Sequence, residues 1–83
     1  MRISRLTPRQ RQVLQLAAGG AANAEIGAAL GIHQITVKNH LNGVAVRYGL
    51  MNGRTALVME GIRRGDVDEL LAYADVEMRR RRE

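Results

Sequence analysis

The chain has 83 residues, a net charge of +5 and no cysteine. That length allows one domain with a small core and argues against a deep enclosed active site, while the missing cysteine removes disulfides, thiolate nucleophiles and the usual zinc sets. No apolar run approaches the roughly 20 residues of a membrane span, and the N-terminus lacks the apolar segment of a signal peptide, so the chain reads as cytosolic with no membrane partner.

The charge is uneven along the chain. Residues 1–64 hold nine basic and two acidic side chains, whereas residues 65–83 hold four Arg and six Asp or Glu. A basic first part on so small a chain is the electrostatic footprint of a nucleic-acid binder, and the acidic remainder calls for a separate role. Lys38 is the one lysine among thirteen basic residues. Against that arginine bias, which with abundant Ala and Gly suggests a GC-rich genome, its position carries weight below.

Residues 1–5 are basic and without period, which predicts a loose arm. Thr7-Pro8-Arg9-Gln10 is a capping box: the hydroxyl accepts from the amide three residues on, Pro8 loses nothing by lacking an N–H, and Gln10 reaches back. Leu6, Val13, Leu14 and Ala17 supply the apolar side of this first helix, and Gly19-Gly20 ends it. Asn23 is the expected cap of a second, short helix, with Glu25 in its first turn and Ile26, Ala29 and Leu30 as its stripe. Gly31 closes that helix, Ile32 plugs the corner and His33 stands where the next cap belongs. Helix, glycine turn and helix together form the layout of a helix-turn-helix.

The third helix carries two chemically different faces. Val37, Leu41, Val44 and Tyr48 recur at i, i+4, i+7 and i+11, one apolar stripe of a 3.6-residue helix that faces a core. Ile35, Lys38, Asn39 and Asn42 form a second row. Lysine donates to guanine O6 and N7 and asparagine pairs with adenine N6 and N7, so this row suits base edges. Ile35 either touches a thymine methyl or packs near Ile32. A third strip of Thr36, His40, Gly43 and Arg47 offers a hydroxyl, an imidazole and a guanidinium to phosphates; for His40 a structural hydrogen bond near Thr36 is the competing role.

Gly49 and the Asn52-Gly53 pair break the period. A fourth helix resumes at Arg54 through Leu57, Val58 and Ile62 and ends near Gly65. Gly61 inside it costs roughly 1 kcal/mol relative to alanine, and is either tolerated or present to let another backbone approach. Asp66-Val67-Asp68-Glu69 signals a fifth helix capped by Asp66. Its apolar side is expected to be Val67, Leu70, Leu71, Ala74 and Met78, opposite Asp68, Asp75 and Glu77, which DNA would repel. The result is an all-α chain divided at residue 65, with a five-helix order and a tail of residues 66–83.

Leu6-Thr7-Pro8-Arg9, the Asn23–Ile26 segment NAEI, Leu30-Gly31-Ile32 and Thr36-Val37-Lys38-Asn39-His40 occur in this order at fixed intervals. Together they resemble the DNA-binding domain of the LuxR/FixJ-type transcription regulators, the small four-helix module also found alone in GerE. The resemblance covers about residues 6–65. It implies a tetrahelical helix-turn-helix, to which the fifth helix outside the resemblance adds an additional C-terminal helix, with a third helix that enters the major groove of double-stranded DNA and a fourth helix that forms a dimer contact, here through Leu57, Val58 and Gly61. It also implies base contacts from Lys38, Asn39 and Asn42. The chain departs from the pattern at Gln10 and Gln12, where glutamates are usual, at Ala22, where a Ser or Thr caps the second helix, and at His33. The start of the fourth helix is offset by one residue relative to the pattern.

Three function classes compete. The first is a stand-alone, dimeric, sequence-specific DNA-binding regulator that needs no cofactor. The second is an adaptor with the same fold that docks on RNA polymerase, a sigma factor or another regulator, although such an adaptor has little use for Lys38, Asn39 and Asn42 together. An enzyme is the weakest, because no acid-base pair, activated nucleophile, phosphate loop or metal set is present. Leu70 and Leu71 either extend a dimer interface or fold back on the domain.

Overall fold

The computed structural model describes residues 4–51 and 53–82, and among these there are five helices and no strand: α1 (Pro8–Ala18), α2 (Asn23–Leu30), α3 (Gln34–Tyr48), α4 (Arg54–Arg64) and α5 (Glu69–Arg82). The chain is therefore all-α, as its periodicity predicts. The Asn52 part of the expected turn and the first three residues of the arm lie outside the described residues.

Local chemistry sets most helix ends. Thr7 Oγ1 accepts from the Gln10 amide at 3.1 Å and Gln10 Oε1 accepts from the Thr7 amide at 3.0 Å, completing the capping box of α1. The α2 cap differs from expectation. Ala22, not Asn23, is the capping residue, and only half of a box forms, with Glu25 Oε1 accepting from the Ala22 amide at 2.9 Å. Asn23 is diverted because its Oδ1 accepts from the Arg54 guanidinium, which also donates to the Ala21 carbonyl at 2.8 Å. His33 does cap α3: its Nδ1 accepts from the Ile35 amide at 3.1 Å. Gly31 takes φ +70°, where L-residues with a Cβ are strained, and turns the chain from α2 into α3.

One core joins α1 to α4. Leu6, Val13, Leu14 and Ala17 meet Ile26 of α2, the Val37, Leu41, Val44 and Tyr48 stripe of α3, and Leu57 of α4. Every residue of the predicted α1 and α3 stripes is buried. Burial of a side chain of this size contributes about 1.5–3 kcal/mol, so this cluster holds an α2 of eight residues that would be marginal alone. Ala29, expected to join it, is exposed.

Leu57 and Gly61 are also interior to the domain, which corrects their assignment to a dimer contact. Leu57 is fully buried. A Cβ at Gly61 would lie 2.8 Å from Leu14 Cδ2 and 2.8 Å from Val67 Cγ2, so this glycine exists to let α1 and the α4–α5 turn close over α4. Val58 is partly buried against the same core.

The fifth helix starts later and docks by a different face than expected. Asp68 is its cap, with Oδ1 accepting from the Leu71 amide at 3.1 Å, because the Asp66 carboxylate is taken by the Tyr48 hydroxyl, which donates to it at 2.5 Å. Burial, and then this hydrogen bond to a carboxylate, raise the Tyr48 phenol far above its usual pKa, and Arg64 stacks on the ring with its guanidinium carbon 4.5 Å from the centroid. Ala72 is buried, Asp75 lies against Gly19 and Val76 near Gly20, so the helix packs on α1. Leu70, Leu71, Ala74 and Met78 are exposed, so of the two roles open to this face it is not folded back on the domain.

Candidate nucleic-acid interface

The geometry of α3 follows from how its buried stripe is held. With Val37, Leu41, Val44 and Tyr48 turned into the core, residues a third to half a turn away must face solvent. Ile35 is 60% exposed, which places it outside the packing near Ile32, and Lys38 and Asn39 are exposed with it. Asn42 is half-buried in the same row and has a polar partner. Val46 completes the line eleven residues after Ile35 and is 80% exposed. Val46 is not among the residues singled out from the sequence, although its i+11 step from Ile35 is visible there.

The flanking strip is placed differently from the row. Thr36, His40 and Gly43 are half-buried and Arg47 is exposed. Arg47 Nη1 donates to the Arg5 carbonyl at 2.7 Å, so the end of the arm lies along this edge of α3, anchored further by buried Leu6 and by Ser4 Oγ accepting from the Leu6 amide at 3.1 Å. The described part of the arm is thus docked, not loose. Gln10 of α1 reaches Gly43 on the same edge. No acidic residue occurs anywhere in α3, so nothing on its outward side opposes a polyanion.

The turn before α3 is set by a residue that the sequence reading did not single out. A Cβ at Gly27 would lie 2.5 Å from the Ile32 carbonyl oxygen, a backbone atom with no room to retreat, so only glycine lets α2 approach the turn this closely. The Ile32 amide donates to the Gly27 carbonyl at 2.9 Å across the same contact. Two further positioning groups come from outside the helix pair. Arg54 ties α4 to the start of α2, and Arg79 of α5 donates from Nε to the Gly19 carbonyl at 3.0 Å and from Nη1 to Glu25 at 2.7 Å. Accepting from the Ala22 amide and pairing with Arg79, Glu25 has its pKa lowered. A shallow cleft between α2 and α3 is lined by Asn23, Gln34, Ile35 and Lys38, next to the outward row.

Among the described residues there is no group of His, Asp or Glu arranged to hold a metal ion, and no helix long and apolar enough to cross a membrane. An outward row of one ammonium and two amides between aliphatic ends is suited to hydrogen bonding and methyl contact along a groove.

A helix-turn-helix within a helical fold of this order is the architecture of a class of bacterial regulatory proteins. The chain belongs to the LuxR family of bacterial regulatory proteins: the family model described as "GerE: Bacterial regulatory proteins, luxR family" matches residues 4–60. This is a family of regulators, not of enzymes. The chain is 43% identical over 60 residues to the transcriptional regulatory protein DegU of Brevibacillus brevis, a match that covers 72% of this chain and 25% of DegU. It is 36% identical over 52 residues to the transcriptional activator protein CarR of Pectobacterium carotovorum subsp. carotovorum, covering 63% of this chain and 21% of CarR. It is also 33% identical over 63 residues to the spore germination protein GerE of Bacillus subtilis (strain 168), covering 76% of this chain and 84% of GerE. The chain thus spans about a quarter of the length of DegU and most of the length of GerE. All of α5 and the end of α4 lie beyond the family match.

Proposed function

We propose that this chain is a sequence-specific DNA-binding regulator of transcription that lays α3 in the major groove and acts as a homodimer. Lys38, Asn39 and Asn42 read base edges, Ile35 meets a thymine methyl, and Thr36, His40 and Arg47 contact the flanking phosphates. The observation that carries this reading is the division of α3: its apolar stripe is entirely buried while Ile35, Lys38, Asn39 and Val46 stand exposed on a helix without a carboxylate. The ammonium and amides are held by a packed helix, which fixes their spacing against a groove about 12 Å wide.

Selection of duplexes from a randomised pool tests it. The expected outcome is enrichment of a recurring half-site, repeated with a separation of about one helical turn or its multiples if two copies bind together. A pool that stays random while the protein co-purifies with RNA polymerase would overturn the proposal and leave the docking adaptor in its place.

A further inference from the structure

Among the described residues the outward face of α5 is largely uncovered. Leu70 is 82% exposed, Leu71 55% and Met78 57%; Leu70 and Ala74 occupy the side away from Ala72 and Arg79, which dock on the body of the domain, and Met78 stands at the edge of that side, beside the cleft lined by Leu16, Glu25 and Arg79. Three large apolar side chains at helical spacing on one short helix form a continuous patch of the kind that marks a contact surface. The charges on the same helix indicate what fits there. Its start carries Asp68 and Glu69 and its end carries Arg79 to Arg82; of these arginines Arg79 is committed to Glu25, and Arg80 makes a longer, exposed pair with Glu77 at 3.4 Å.

We propose that α5 pairs antiparallel with the α5 of a second copy of this chain. Centred on Ala74, such a pair sets Leu70 of one copy against Met78 of the other and brings each acidic start beside the other copy's Arg80–Arg82 end. A parallel pair would set carboxylates on carboxylates and guanidiniums on guanidiniums, and would align the two helix dipoles instead of opposing them. The helix has 14 residues, a length of about 21 Å. So small an interface gives a weak dimer in free solution, tightened when both copies are held on one duplex.

The inference rests on the homodimeric reading above and is tested without DNA, so that the two can fail separately. Sedimentation equilibrium of the full chain is expected to show a mass that rises with concentration towards two chains. The variant carrying Leu70→Asp and Leu71→Asp, both at exposed positions, is expected to keep the mass of one chain with an unchanged circular dichroism spectrum. Because the chain has no cysteine, Leu70→Cys and Met78→Cys variants can be mixed under mild oxidation, and crosslinks between 70 and 78 should dominate over 70 to 70. A wild-type chain that stays monomeric at every concentration would overturn the α5 pairing, while the homodimer itself stands or falls on the half-site spacing of the selected duplexes. A wild-type dimer that persists in the folded double-Asp variant would overturn the α5 interface alone. Should the double-Asp variant not fold, the crosslinks decide, and a predominance of 70 to 70 would overturn the antiparallel arrangement.

Discussion

Helices α3 and α5 are nearly equal in length, and both show an apolar stripe at helical spacing, but they use it in opposite ways. The α3 stripe closes the core and leaves the polar row outside, whereas α5 docks through Ala72, Asp75, Val76 and Arg79 and leaves its leucines outside. The difference is one of room. The space α3 fills is bounded by α1, α2 and α4, which take large side chains, while α5 meets the glycine corner at Gly19-Gly20, where Asp75, Val76 and Arg79 come against the backbone. A periodic apolar face therefore states that a partner is wanted without stating that the partner is the rest of the same chain.

That contrast can be broken or sharpened by substitution, beginning with the largest effect. Leu57→Ala should cost about 2–5 kcal/mol because it opens a cavity at a fully buried site, while Leu70→Ala should stay within about 0.5 kcal/mol; urea unfolding of both variants compares them, and equal losses would mean that α5 is packed the other way round. Gly27→Ala should cost roughly 1–3 kcal/mol, because the added methyl meets the Ile32 carbonyl. The same denaturation experiment reads it, and a gain in stability, as helix propensity alone would give, counts against the tight α2–α3 approach.

Smaller effects concern charge. Arg79→Ala should speed amide exchange at the start of α2 while leaving α4 unchanged, since the side chain ties α5 to Glu25 and to the Gly19 carbonyl; hydrogen exchange that changes nowhere would reduce α5 to an appendage. The weakest effect lies in α4. Glu60 accepts from Arg63 at 2.6 and 2.8 Å and from Arg64 at 2.7 Å, and these hydrogen bonds push its carboxyl down from the ordinary 4.5 to about 2. A lowered folded value means that the stabilisation is complete above about 4.5 and is lost as the pH falls towards 2. Glu60→Gln should flatten the acid limb of the stability profile slightly in that window and leave stability above it pH-independent as before. An unchanged acid limb would show that these surface ion pairs contribute nothing measurable.

Much of this architecture was legible in the sequence, and what escaped has physical causes. The Thr7 box, the Gly31 turn, the His33 cap and the four-residue stripe of α3 depend on neighbours within one helical turn or on a single period, so local pattern suffices. Asn23 and Asp66 failed as caps because long-range partners, Arg54 and Tyr48, claimed their side chains. Leu57 and Gly61 were read as a dimer contact because a periodic face cannot tell a core from an interface. Gly27 was missed because its requirement comes from the Ile32 carbonyl across the turn, and the docking of Arg47 on Arg5 spans 42 residues. In the outward row, the spacing of Ile35, Lys38, Asn39 and Asn42 was legible, and Val46 was left out although it continues the same row at i+11.

The account rests on a division of labour along α3, and paired titrations of Lys38→Ala and Arg47→Ala test it most directly. Each variant is measured against the selected duplex and a scrambled one at low and high salt. Lys38→Ala should lose about 1–3 kcal/mol on the selected duplex with little change on the scrambled one, because a base contact carries discrimination. Arg47→Ala should weaken both alike and reduce the salt slope by about 1, as expected when one fewer phosphate is neutralised. Parallel losses for both variants on both duplexes would contradict the assignment of reading to the exposed row and of positioning to its flank.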